Sequence, residues 1–171
     1  TLTMTIYGDM DLSIIREKPA IRKPIKTYSK LETKIDDVLI FIKKQIELNN
    51  QVFWVCPLIE ESKKVDHTSA VKKFEYLSKI FPNNVALLHG KTNIEDKEII
   101  LNDFLNNKFK ILVSTTIIEV GIDFPNANAI VIENANKFGL SQLHQLRGRV
   151  GRGSKQSTCI LMFKSNLSEN A

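Results

Sequence analysis

Gln51–Cys56 reads QVFWVC, six residues of which five are apolar, with no alternation of polar and apolar positions. A strand with one wet face alternates, whereas a run this short and continuous suits a strand covered on both faces. Comparable runs recur at Val85–Leu88, Lys110–Ser114, Ala129–Glu133 and Thr158–Phe163, with a weaker candidate at Ile25–Tyr28 after Pro24. Between them lie helical patterns. From Lys34, apolar residues fall at Ile35, Val38, Leu39, Ile42 and Ile46, and Asn49-Asn50 ends that helix. Further helices are predicted over Thr68–Phe81, Ile94–Leu105 and Leu140–Arg147. Strands alternating with helices predict an α/β class, a three-layer αβα domain around a mostly parallel sheet. Trp54 reads as core, and Lys63, Lys64, Lys72 and Lys73 as a solvated helix face.

The chain has 171 residues, 43% of them hydrophobic, enough for one ordinary core. No apolar run approaches the ~18 residues that span a bilayer, and no signal-peptide pattern opens the sequence. Cys56 and Cys159 both lie in apolar runs and read as buried free thiols, consistent with a reducing compartment. The three histidines lack metal-ligand spacing, so no metal site is predicted from this chain. A net charge of +5 leans toward a polyanionic partner. Abundant Asn, Lys and Ile read as composition bias. The chain opens on Thr1 rather than Met, and we expect a piece of something longer, with a connector over Gly8–Arg22 and a boundary near Arg22–Pro24.

In open parallel sheets, ligands collect at the carboxyl ends of strands. His89-Gly90, Thr115-Thr116 and Glu133-Asn134 stand there. LHGKT (Leu88–Thr92) imitates the end of a phosphate-binding loop, but the first glycine of that motif would fall at Val85, inside a strand. No acidic pair follows a strand to hold Mg²⁺. A nucleotide would therefore need its main binding site elsewhere.

The other conspicuous stretch is SQLHQLRGRVGRGS (Ser141–Ser154), with arginines at 147, 149 and 152 and glycines at 148, 151 and 153. Guanidinium groups present a planar fork to phosphate oxygens. Arg149 and Arg152 are three apart and would share one face of a helical turn. Gly148 and Gly151 would leave room for another surface to approach. Arginine fingers toward a transferred γ-phosphoryl group fit this pattern.

Gln145-Leu-Arg-Gly-Arg-Val-Gly-Arg152 resembles motif VI of superfamily 2 helicases, and Thr115-Thr-Ile-Ile-Glu-Val-Gly-Ile-Asp123 resembles motif V. Trp54–Ser62, Thr115–Ala127, Phe138–Gly153 and Thr1–Ile15 together resemble the RecG-type DNA helicases, over nearly the whole chain. Arg16 departs from the acidic residue that the family has there. The transcription-repair coupling factors are the nearest related family, and a non-catalytic DNA- or protein-binding module is the rival reading from another class.

The resemblance implies the second RecA-like motor domain at 24–171 and, at 1–23, the tail of the first with its linker. It implies an ATP-dependent DNA helicase that remodels stalled forks and branched recombination intermediates. Arg149, Arg152 and Gln145 would serve catalysis; Gly121 and Asp123, with the arginines, would line the nucleotide cleft; His89, Gly90, Thr115 and Thr116 would contact the DNA backbone. ATP and Mg²⁺ would be held mainly by the first motor domain. Expected partners are branched or duplex DNA and the first motor and wedge domains, with no membrane, in a monomeric cytoplasmic protein at the bacterial nucleoid. This chain alone would be inactive.

Overall fold

A computed structural model describes residues 23–57, 63–115, 124–151, 153 and 155–164, with side chains in the second range described from residue 69 onward. The opening segment, the connector over Gly8–Arg22, and Thr116, Gly121, Asp123 and Arg152 lie outside the described residues, as do the side chains of Lys63 and Lys64.

Among the described residues, six strands form one sheet: β1 (Lys26–Leu31), β2 (Gln51–Val55), β3 (Val85–Leu88), β4 (Ile111–Ser114), β5 (Ala127–Ile132) and β6 (Thr158–Phe163). Their order is β1-β6-β5-β2-β4-β3, and every pairing is parallel. The described residues between them include four α-helices: α1 (Ile35–Glu47), α2 (Lys63–Ile80), α3 (Ile94–Leu105) and α4 (Leu140–Arg147). Among the described residues, no helix is long and apolar enough to cross a membrane.

Each central strand feeds two cores, because successive side chains point to opposite faces. Val52 and Trp54 of β2 pack with Val38 and Ile42 of α1 and with Ala70 and Leu77 of α2. Phe53 and Val55 point the other way, onto Leu101 and Phe104 of α3 and Leu146 of α4. All five residues of β2 are buried, as its unalternating sequence requires. Trp54 is core, and Cys56 and Cys159 are buried free thiols. Burial pushes the Cys159 thiol up to about 11, against a smaller opposing pull from the Arg147 guanidinium. Burial likewise raises Cys56, reinforced by the Glu133 carboxylate. Neither thiol is therefore a nucleophile at neutral pH.

Several boundaries differ from expectation for identifiable reasons. The second helix starts at Lys63, not Thr68, because its first turn carries one apolar residue and shows no periodicity. β1 runs to Leu31 rather than Tyr28, because pairing with β6 sustains an edge strand whose own sequence is mostly polar. β5 begins at Ala127, two residues early, through an irregularity in pairing.

The asparagines also carry structure. Asn49, Asn83, Asn107 and Asn134 adopt left-handed backbone conformations, with φ of 58°, 61°, 65° and 48°. Asn tolerates that region better than other residues with a side chain. In a chain with only seven glycines, these asparagines end helices and turn loops. Reading them as composition bias missed this use.

Candidate functional site

Two groups of predicted residues occupy opposite edges of the sheet. His89 follows β3, Thr115 follows β4 and Glu133 follows β5, so all three stand at the carboxyl edge. The arginine loop after α4 lies at the amino edge. There, a Cβ on Gly151 would fall 3.1 Å from Ile25 Cγ1 and 3.4 Å from Ser157, the residues just before β1 and β6. One on Gly153 would fall 3.0 Å from the carbonyl oxygen of Pro125, just ahead of β5. A five-residue strand such as β2 separates the edges by roughly 17 Å.

At the carboxyl edge, the His89 loop is tied to itself. Thr92 N–H donates to the His89 carbonyl at 3.0 Å, and His89 N–H donates to Thr92 Oγ1 at 3.2 Å. Lys91 N–H donates to His89 Nδ1 at 3.2 Å, which leaves the ring proton on Nε2. A phosphate wrapped by these amides would have to break all three bonds. The loop instead exposes Gly90 at its tip and half-buries the imidazole. Thr115 is only 4% exposed, and its N–H points at the Leu88 carbonyl at 3.4 Å. A cavity of about 390 Å³ opens beside this loop, lined by His89, Lys91, Thr92, Asn93 and Asp96 among others.

A second cavity at this edge, about 310 Å³, holds a cluster that sequence reasoning missed. Lys73 Nζ lies 2.8 Å from Glu133 Oε1, with side chains 16% and 15% exposed. Glu133 Oε2 accepts from Trp54 Nε1 at 3.3 Å and from Cys56 Sγ at 3.4 Å. The ammonium also sits 5.0 Å from the Trp54 ring and 5.4 Å from the Tyr76 ring. Lys73 is thus a half-buried ion-pair partner, not part of a solvated face, whereas Lys72 is exposed as expected. A lysine at helical spacing carries no mark of its partner, since Glu133 is 60 residues away in sequence.

Glu133→Gln would leave the ammonium without its counter-charge while keeping the side chain's shape. Removing one partner of a fully buried pair costs about 3–5 kcal/mol, and with both side chains partly wet we expect about 1–2 kcal/mol here. Thermal unfolding should show Tm lowered by roughly 3–6 °C, and an unchanged Tm would mean that water already screens the pair.

At the amino edge, the arginine loop departs from expectation in two respects. Helix α4 ends at Arg147, and Gly148 caps it by donating to the His144 carbonyl at 3.1 Å. Arg149 sits in the turn beyond, its N–H donating to the Leu146 carbonyl at 3.0 Å. Gly151 then takes a φ of +78°, which an L-residue with a side chain adopts only under strain. Arg149 therefore stands beyond the helix, where helical spacing no longer applies. Nor do Gly148 and Gly151 leave the expected space for an outside surface: a Cβ on Gly148 would fall 3.3 Å from the Gln145 carbonyl oxygen, and Gly151, like Gly153, is close-packed against residues distant in this same chain. Buried Leu146 and Val150 anchor the turn on both sides of Arg149, which remains half-exposed. Gln145 and His144 are exposed on the last turn of α4, and Arg147 Nη2 lies 3.4 Å from His144 Nδ1.

Among its described residues, this loop carries a half-exposed arginine but no run of amides arranged to cradle a triphosphate. Among the described residues, no group of three or more His, Cys, Asp or Glu is placed to hold a metal ion. The donor set thus suits contact with a phosphate bound by another domain.

The chain resembles known proteins at every level. The ATP-dependent DNA helicase RecG of Bacillus subtilis is 49% identical over 164 residues, 95% of this chain and 24% of that protein. RecG of Escherichia coli O157:H7 is 42% identical over 100% of this chain and 25% of its own length. The solved structure of RecG bound to a three-way DNA junction matches with a TM-score of 0.80 at 41% identity, covering 99% of this chain and 22% of that one. The C-terminal domain of the DEAD-box protein Dbp5 shares the fold, with a TM-score of 0.57 at 23% identity, over 88% of this chain and 81% of that one. This chain spans about a quarter of the length of the curated relatives it matches. The model of the helicase conserved C-terminal domain matches residues 30–154, and with its parallel αβα architecture the chain belongs to that family.

Proposed function

We propose that this chain is the second motor domain of an ATP-dependent DNA helicase of the RecG type, acting on branched DNA. The observation that carries the reading is the separation of its two polar edges: a half-exposed arginine turn at the amino edge and a loop-lined polar edge opposite. Near-complete coverage by RecG relatives supports the choice of substrate class.

Under this reading, Arg149 and Arg152 approach the γ-phosphate of ATP seated on a first motor domain, and Gln145 orients a guanidinium or the attacking water. Gly121 and Asp123 belong to the same cleft. Mg²⁺ and most nucleotide contacts belong to the first domain. Neutralising charge as it develops on the transferred phosphoryl group is what such guanidinium groups contribute. His89 and Gly90 would meet backbone phosphates, contacts that position without reading sequence. Thr115, buried here, and Thr116 would join them once the neighbouring backbone shifts around DNA. ATP bridging the two domains closes the cleft, hydrolysis releases it, and alternating grips on DNA advance the motor.

The direct test compares ATP hydrolysis by this 171-residue chain and by the full-length protein, each with and without a three-way junction. We expect turnover only from the full-length protein, stimulated by the junction. Robust hydrolysis by the 171 residues alone would defeat the half-site reading.

A further inference from the structure

β5 opens with an extra residue in its pairing. Partners step from Gln51↔Ala127 to Val52↔Ala129, so Asn128 has no counterpart on β2. Such a bulge takes one residue out of the ladder and re-aims its side chain. Asn128 is 1% exposed, and it turns its amide to both neighbouring strands. Its Nδ2 donates to Asn50 Oδ1 at 3.1 Å and to the Asn126 carbonyl at 3.2 Å. Its Oδ1 accepts from Ser157 Oγ at 3.4 Å.

The network leads into the arginine loop. Ser157 is fully buried, and its Oγ lies 3.4 Å from where a Cβ on Gly151 would stand. Asn50 Oδ1 also accepts from Lys155 Nζ at 2.9 Å, and Asn50 Nδ2 donates to Gln45 Oε1 at 2.9 Å. Gln156 Nε2 donates to the Pro24 carbonyl at 2.6 Å. Apolar residues would fill this volume at no loss of packing. A satisfied polar network instead selects a single arrangement of the elements it joins. Here those elements are the heads of β2, β5 and β6 and the return arm of the loop that displays Arg149. The outgoing arm is held by Leu146 and Val150 in the apolar core.

We infer that Asn128 is a positioning residue for Arg149: the bulge at the head of β5 fixes, through Ser157 and Asn50, the loop that presents the guanidinium. The inference rests on Arg149 meeting the γ-phosphate. Asn128 itself touches no substrate, so its effect must pass through the loop.

A double-mutant cycle in the full-length protein tests this, with junction-stimulated ATP hydrolysis measured for wild type, Asn128→Ala, Arg149→Ala and the double variant. Misplacing a catalytic group by about 1 Å can lower turnover roughly 100-fold, so Asn128→Ala should lower kcat by about 10- to 100-fold. KM for ATP and Kd for the junction should stay as in wild type. In the Arg149→Ala background, Asn128→Ala should do nothing further. Additive losses would overturn the inference, because Asn128 would then act independently of Arg149. Wild-type kcat for Asn128→Ala beside an impaired Arg149→Ala would overturn it too, while leaving the arginine's role intact. Wild-type kcat for Arg149→Ala would remove that role and the inference together. If Asn128→Ala does not fold, Ser157→Ala, which deletes one oxygen, takes its place in the cycle with the same outcomes.

Discussion

Arg149→Ala in the full-length protein is expected to lower kcat for ATP hydrolysis by roughly 10³-fold, with Kd for ATP nearly unchanged. The asymmetry follows from when the interaction forms. A group that meets charge appearing only in the transition state contributes to kcat and little to ground-state binding. Roughly 10³ in rate corresponds to about 4 kcal/mol of barrier, within reach of one well-placed guanidinium in a closed, water-poor cleft. Arg149→Lys should recover little, since an ammonium cannot reproduce the planar fork. Arg152→Ala should behave in the same way. Steady-state kinetics with direct nucleotide-binding measurements decide the matter. Near-wild-type kcat would exclude the finger role, and a large loss of ATP affinity with kcat intact would assign Arg149 to ground-state binding.

Phe104→Ala should be among the most damaging single changes to the described core. Phe104 is fully buried, with its ring centroid 5.4 Å from Phe53 and 5.5 Å from Phe124. Phe53 and Phe124 close the triangle at 5.6 Å, nearly edge to face. Truncating a buried phenylalanine costs about 3–5 kcal/mol through lost transfer energy and the cavity left behind. That is a large share of the roughly 5–15 kcal/mol that holds a typical domain folded. Tm should fall by about 10 °C or more, with Phe104→Leu affected far less. A fall under about 2 °C would mean that the site collapses around the gap. The triangle also has functional reach: Phe124 immediately follows the segment resembling motif V and precedes Pro125, on whose carbonyl Gly153 is seated.

The two edges differ in how they are built. At the carboxyl edge, Glu133 gathers Lys73, Trp54 and Cys56 from two elements into one cluster beside an open cavity. At the amino edge, bulge, glycine contacts and polar network all converge on a single loop. A motor must hold its phosphate-contacting groups rigid while its grip on DNA changes, and on our proposal the more tightly braced edge is the nucleotide-facing one.

Much of this was legible in the residues themselves. Among the described residues, pattern located the four helices and the five buried strands, because each of those strands is a nearly continuous apolar run, while the mostly polar edge strand β1 was placed only roughly after Pro24. Val85–Leu88, Ile94–Leu105, Leu140–Arg147 and Thr158–Phe163 fall within their predicted bounds to the residue. The order of guanidinium and glycine residues near the end was enough to suggest a phosphate contact, and the resemblance carried by those residues agrees with the family to which the chain belongs. What sequence could not reach is any fact depending on partners far apart along the chain. Lys73 reads as surface until Glu133 arrives from the end of β5. Gly151 reads as room for a visitor until Ile25 and Ser157 fill it. Asn128 falls outside the predicted strand at Ala129–Glu133, and only the bulge shows it turned between Asn50 and Ser157. Local pattern follows from the period of backbone geometry, which each segment carries within itself. Ion pairs, close glycine contacts and buried polar networks arise only when the sheet brings distant segments together, because their partners lie tens of residues apart along the chain.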